Sequence, residues 1–438
     1  MKKVAFYTLG CKVNQYETEY MEERFKEKGY DVVAFSEPAD VYIINTCSVT
    51  AMADRKSRNA VYRAHKTNPQ AIIAVAGCYS QVNPEEFEKM DFVDIVLGNN
   101  KDKTVDAVEE FSGNKIFSVD DISKERKYTD ISVKEHIGKT RAFMKIEDGC
   151  DNFCTYCIIP YARGRVRSRS LEDIKSEAQT LAAAGYTEIV LTGIHLTSYG
   201  KDMKNTDLAD VLLMLEEIDG IKRIRLGSLE LTPVMEKIAE MSDRLPKLCP
   251  QFHMSLQSGC DSVLKRMKRR YTCEDYRRAV MLLRENWEDA SVTTDIMTGF
   301  PGETEQEHKA SLDFAEEIGF SKIHVFPYSR RNGTPAADMA GQLTDKVKRA
   351  RAAEMQTVAN ECETRFFESC IGKIFDILVE KRNENGKLAG HAPNYCITEF
   401  DGSDDLIKNI VKVKITGYSD GILKGECEKI CKLKNTLK

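Results

Sequence analysis

From residue 4 to about residue 98, short apolar runs alternate with polar turns and with stretches whose apolar positions recur at helical spacing. Strand-sized runs alternating with helices specify a parallel α/β sheet. Strands are expected at residues 4–9, 31–35, 41–45, 71–76 and 95–97, with helices at 14–28, 51–65 and 84–90. Right-handed crossovers leave all these strands pointing the same way. The polar, weakly periodic residues 101–139 read as a connector with an added helix or hairpin.

Six further apolar runs, at 142–146, 188–191, 224–226, 252–256, 292–297 and 322–326, again alternate with helical stretches and indicate a partial (β/α)6 barrel. Ser170 with Asp173 three residues later resembles a capping box and Gly185 closes that helix; residues 303–318 before Gly319 repeat the pattern. A charged amphipathic helix follows Asp345 to about residue 369. From Lys373 the pattern changes to alternation of period two, with hairpin turns at Asn385-Gly386 and Asp420-Gly421, a small OB-like β domain. The expected fold class is α/β in three parts: residues 1–112, 136–366 and 368–433.

With 42% hydrophobic and 30% charged residues and 11 prolines in 438, the composition is far from disordered or low-complexity classes. No apolar run approaches the roughly 18 residues of a membrane helix, and the start lacks a secretory pattern. A soluble, cytoplasmic protein is expected, with no membrane partner. Fourteen cysteines then read as metal ligands or buried thiols in a reducing compartment. The net charge of −5 provides no global field for phosphate, so any nucleic-acid surface must be a local patch.

The strongest local signal is Cys150-Asp-Asn-Phe-Cys154-Thr-Tyr-Cys157. Three thiolates so spaced can converge on one metal centre. They could instead stripe a helix face, but Gly149, Asn152 and Pro160 favour a loop, and no fourth Cys or His nearby completes a structural zinc site. On a four-iron cluster, three ligands leave one iron open to substrate. Cys11, Cys47 and Cys78 form a second set. Each follows an expected strand, at the carboxyl edge where open α/β sheets bind ligands.

Other positions carry bland readings beside functional ones. Tyr156 could stack on an adenine or merely pack. Gly299 and Gly302 could admit a cofactor to the backbone or simply make the turn before Glu303. Arg163, Arg165, Arg167 and Arg169 alternate without an acid, and Lys265, Arg266, Lys268, Arg269 and Arg270 form a second cluster; phosphate contacts or solvated faces explain either. His195, His253 and His324 read as satisfied interior imidazoles, and Cys249, Cys260, Cys273, Cys362, Cys370, Cys396, Cys427 and Cys431 as buried thiols.

The stretch Lys145-Ile-Glu-Asp-Gly-Cys-Asp-Asn-Phe-Cys-Thr-Tyr-Cys-Ile-Ile-Pro160, continued by Tyr-Ala-Arg-Gly164, resembles the radical S-adenosylmethionine methylthiotransferases. The three separated upstream cysteines and the β tail, a TRAM domain in that family, extend the resemblance to essentially the whole chain. Thr8-Leu-Gly-Cys-Lys-Val-Asn-Gln-Tyr-Glu-Thr18 and Leu191-Thr-Gly-Ile-His195 look like the branch acting on threonylcarbamoyladenosine in tRNA.

The resemblance implies two [4Fe-4S] clusters. Cys150, Cys154 and Cys157 would hold the one that binds S-adenosylmethionine and releases a 5′-deoxyadenosyl radical. Cys11, Cys47 and Cys78 would hold an auxiliary cluster carrying sulfur. It further implies the tRNA anticodon arm as substrate and an electron donor such as flavodoxin or ferredoxin. Radical chemistry suits the target, because C2 of adenine has an unactivated C–H bond. The alternatives are the same chemistry on isopentenyladenosine-37 or on a ribosomal-protein aspartate, and, from another class, a non-catalytic zinc-stabilised RNA-binding protein.

Overall fold

A computed structural model describes residues 1–136 and 138–427. In the N-terminal part, six parallel strands run in the order Asp31–Val33, Lys3–Thr8, Val41–Thr46, Ile72–Gly77, Ile95–Leu97 and Ile116–Ser118. The strand Val41–Thr46 is buried along its whole length, as a continuous apolar run sandwiched between helix layers must be. The strand order reverses beside Lys3–Thr8, which makes the carboxyl edge between Lys3–Thr8 and Val41–Thr46 the topological switch point.

The sheet's last strand, Ile116–Ser118, lies within the segment expected as a connector and beyond the boundary drawn at residue 112. It is a three-residue edge strand with its central Phe117 exposed, too short to show alternation.

The middle part holds six parallel strand positions. Ala142–Lys145, Glu188–Thr192 and Arg223–Leu226 pair in one sheet; Ser228–Leu229, Gln251–Met254, Ser291–Thr298 and Lys322–Pro327 pair in another. Gly227 separates them, its amide turned to the Leu191 carbonyl at 2.8 Å, so the open barrel splits in the middle of its third strand. The outer face is apolar and packs under the helices through Met144, Leu191, Leu226, Met254, Val292 and Ile323. The inner face carries Arg223, Arg225, His253, Thr293 and Asp295, a polar lumen.

The helix boundaries follow their caps. The Ser170 side chain accepts from the Asp173 amide, while the reciprocal bond expected from Asp173 is replaced by one to the Ser170 hydroxyl, 2.6 Å. A full capping box forms instead at Thr304 and Glu307, and Gly319 ends that helix in the left-handed conformation. The helix Asp345–Cys370 runs without a break from the barrel into the tail. There Ile374–Arg382, Leu388–His391, Ile397–Phe400, Ile422–Cys427 and Ile410–Ser419 close a barrel in that order. Positive φ at both Asp420 and Gly421 gives the tight hairpin turn that the dipeptide specifies. Among the described residues no helix is long and apolar enough to cross a membrane.

Candidate active site

The segment from Cys150 to Cys157 is a loop. Phe153 has φ +47, the Cys150 amide donates to the Gly164 carbonyl at 3.0 Å, and the Thr155 amide reaches the Met267 carbonyl at 3.1 Å. The helical stripe is thereby excluded. Gly149 is obligatory: at φ +88 a Cβ would meet the Arg165 carbonyl oxygen at 1.9 Å. Cys150 and Cys154 are buried and Cys157 partly so. Burial, with the neighbouring cysteine thiols, pushes Cys157 up to about 12 and raises Cys150.

Folding also gathers the distant set. Cys11 caps the helix Lys12–Glu27, Cys47 directly follows the strand Val41–Thr46, and Cys78 opens the helix Cys78–Val82. A Cβ on Gly10 would stand 2.8 Å from the Cys47 sulfur, so only glycine, at φ +101, lets the Cys11 turn close over Cys47. Burial first, then the nearby Cys78 thiol, pushes Cys47 up to about 12.

Each triad has a buried guanidinium. The Arg163 Nε donates to the Cys78 Sγ at 3.3 Å, and the Arg269 Nη1 to the Cys154 Sγ at 3.4 Å. Soft thiolates in threes, each set beside a fixed cation, fit a negatively charged iron–sulfur core. Among the described residues no three His, Cys, Asp or Glu side chains close on one point as a single metal ion requires. Thiolates that each take a separate iron of a cluster need not do so.

Four arginines expected as candidate phosphate contacts belong to the interior. Arg163, wholly buried, bonds Glu17 at 2.8 Å and Asp148 at 3.0 Å, and Arg167 donates to the Arg163 and Arg165 carbonyls. Arg169 pairs with buried Glu177, and Arg269 reaches Glu230 at 3.2 Å. Local sequence hides this because the compensating carboxylates lie far away; Glu17 is 146 positions from Arg163. Arg165 is exposed beside Asp151, Arg266 is held by Glu307, and Lys265, Lys268 and Arg270 remain exposed, apart from Lys268's backbone turn at φ +59.

The glycines expected near a cofactor serve the chain itself. A Cβ on Gly299 would strike Lys348 Cγ at 2.4 Å, and its amide donates to Glu303; the Gly302 amide donates to the Gly341 carbonyl at 2.9 Å. Tyr156 packs on the cluster of Val263, Met267, Phe300 and Tyr328. Among the cysteines read as buried thiols, Cys249, Cys362 and Cys370 are buried, Cys260, Cys273, Cys396 and Cys427 are partly so, and Cys431 lies outside the described residues.

Sequence reasoning passed over a network bracing the cysteine loop. Asn152 donates to Glu230 at 2.9 Å, His195 Nε2 lies 2.9 Å from the same oxygen, and Arg269 joins them to Cys154. Beneath it Glu147 is fully buried, accepts from the His195 amide at 2.8 Å, and keeps one oxygen without a partner; burial pushes its carboxyl up to about 8. Burial would raise Glu17 too, but Arg163, Lys101 and Lys145 hold it well below the usual carboxylate range.

Family models match in the order of these parts: an uncharacterized protein family, UPF0004, over residues 3–98, the Radical SAM superfamily over 144–315, and the TRAM domain over 368–427. A threonylcarbamoyladenosine tRNA methylthiotransferase, MtaB, from Bacillus subtilis (strain 168) is 42% identical over 428 residues, 95% of each chain. Its counterpart from Aquifex aeolicus is 40% identical over 87% of this chain and 93% of its own. The chain belongs to the radical SAM methylthiotransferases, in the MtaB branch.

A tRNA-2-methylthio-N(6)-dimethylallyladenosine synthase from Clostridium beijerinckii is 34% identical over 98% of this chain and 96% of its own. Among solved structures, a radical S-adenosylmethionine methyltransferase, TsrM, from Kitasatospora setae shares the fold at TM-score 0.55 and 16% identity over 77% of each chain. Membership in this enzyme family brings S-adenosylmethionine and a [4Fe-4S] cluster, and the three cysteines of the loop Cys150–Cys157 are a donor set that could hold it.

Proposed function

We propose that this methylthiotransferase inserts a methylthio group at C2 of N6-threonylcarbamoyladenosine-37 in the tRNA anticodon arm, using two [4Fe-4S] clusters and two S-adenosylmethionine molecules. The observation that carries the reading is the pair of cysteine triads, one in a loop and one assembled at a sheet edge, each with a guanidinium donating to one of its sulfurs. Higher identity to the threonylcarbamoyl relatives, 42% against 34%, favours that nucleoside over the dimethylallyl one.

When bound, the clusters supply electron transfer to S-adenosylmethionine and a sulfur source. The chain's own residues do the rest. Cys150, Cys154 and Cys157 would hold one core, and Cys11, Cys47 and Cys78 the other. Arg269 and Arg163 offset negative charge on the thiolates. Asn152, His195 and Glu230 fix the loop, and the apolar cluster around Tyr156 keeps water from its far side. The β barrel and the exposed Lys265, Lys268 and Arg270 are the surfaces offered to RNA, and a flavodoxin or ferredoxin would deliver electrons.

Nucleoside mass spectrometry of tRNA from a deletion strain tests the assignment. The 2-methylthio-threonylcarbamoyl nucleoside disappears and its unthiolated precursor accumulates; loss of the isopentenyl counterpart instead would reassign the substrate.

A further inference from the structure

The barrel lumen contains a cavity of about 590 Å³, closed on one side by residues of the C-terminal barrel. Beside it, outside its lining, stands a set of paired arginines. Arg223 and Arg225 reach up from their strand and share Glu188, at 3.4 and 2.9 Å, and Arg141 bonds Glu380 at 2.9 Å. The remaining donors of Arg225 are taken by the Pro393 and Ala392 carbonyls, 2.8 and 3.2 Å away. Tyr395, held at φ +71, lies under the Arg225 guanidinium at 4.9 Å from ring centre. Every one of these guanidinium groups has oxygen partners.

Lys12 does not. Its ammonium lines the same cavity, 5.6 Å from the Tyr395 ring centre and 6.0 Å from that of Phe143, and among the described residues no oxygen lies within hydrogen-bonding or ion-pairing distance of it. A cation without an oxygen partner keeps its donor capacity for a ligand. The two carboxylates on the walls are already engaged: Asp295 by His253 at 3.2 Å and Glu363 by Lys322 at 3.4 Å. An aromatic face, Phe326, 47% exposed, offers a stacking surface to a base. Lys12 also directly follows Cys11, one of the Cys11, Cys47 and Cys78 triad.

We infer that Lys12 binds the carboxylate of the N6 substituent of the target nucleoside within this cavity, and so selects an anionic modification over an uncharged one. The inference rests on the proposed threonylcarbamoyl substrate, whose N6 tail ends in a carboxylate; an isopentenyl tail has none. It gives the ammonium its missing partner.

The test uses the cluster-loaded full chain and three anticodon stem-loops, bearing threonylcarbamoyladenosine, its carboxyl methyl ester, or isopentenyladenosine. Dissociation constants come from fluorescence anisotropy, and methylthiolation from mass spectrometry. The wild-type chain binds the acid about tenfold tighter than the ester, the size of one hydrogen bond to a charged group. In Lys12→Gln the ratio falls to about one; in Lys12→Arg a preference for the acid returns. A wild-type ratio of one, in protein that does methylthiolate the acid stem-loop, overturns the inference and leaves the proposed function standing, as does an unchanged ratio in Lys12→Gln. Methylthiolation of the isopentenyl stem-loop alone overturns both.

Discussion

Arg163 is the residue on which the buried charge of the molecule converges. Its guanidinium joins Glu17 of the N-terminal sheet domain, Asp148 at the mouth of the cysteine loop, and the Cys78 sulfur. Removing the cation takes one charged partner from each carboxylate and leaves them to Lys101, Lys145 and Arg167. Arg163→Met lowers unfolding free energy by ~1–3 kcal/mol, the cost of charged hydrogen bonds lost in the interior, measured by denaturant titration. Glu147 behaves in the opposite sense. Its folded carboxyl keeps its proton to about 8, while the unfolded group loses it near the ordinary carboxylate value. Between those pH values the folded state binds the extra proton, so stability is greatest at the acid end and falls as pH rises, by up to ~1.4 kcal/mol per unit. Glu147→Gln flattens this fall in denaturation midpoints taken from pH 5 to pH 8.5.

At the scale of elements, the strand-to-helix turns do the assembling. The turn after Lys3–Thr8 can bring Cys11 over Cys47 only because residue 10 lacks a side chain. In Gly10→Ala the new methyl group, at a backbone angle that alanine avoids, displaces the Cys47 sulfur. The expected outcome is loss of about half the iron, read by metal analysis, with cleavage of S-adenosylmethionine retained by the other triad. Most of these elements were legible in the sequence, because strands in a two-sided parallel sheet are continuous apolar runs and each cysteine stands at the end of one. The edge strand Ile116–Ser118 was not, being too short and half exposed. The bracing network was also hidden, since Asn152 and Glu230 are 78 positions apart and neither belongs to a local motif. The acid-free arginine runs misled because alternation in the chain says nothing of carboxylates that the fold brings in from outside the run, such as Glu17 and Glu230.

For the whole molecule, the N-terminal sheet and the C-terminal barrel both close on the open barrel between them. The docking of the C-terminal part depends on arginines aimed at backbone carbonyls: Arg225 at Pro393 and Ala392, Arg223 at His391 and Asp376. Arg225→Met removes two of those bonds and leaves Glu188 with poorer compensation. Thermal unfolding then separates into two transitions, the C-terminal barrel melting first, where the wild-type chain shows the parts melting together.

The proposed pair of independent thiolate triads, each with its own cluster, is open to iron counting combined with a cleavage assay. Anaerobically reconstituted wild-type protein holds about eight irons. The variant with Cys11, Cys47 and Cys78 all changed to alanine holds about four and still releases 5′-deoxyadenosine on reduction. About four irons in the wild type, or a triple variant that keeps its full iron content, contradicts the account.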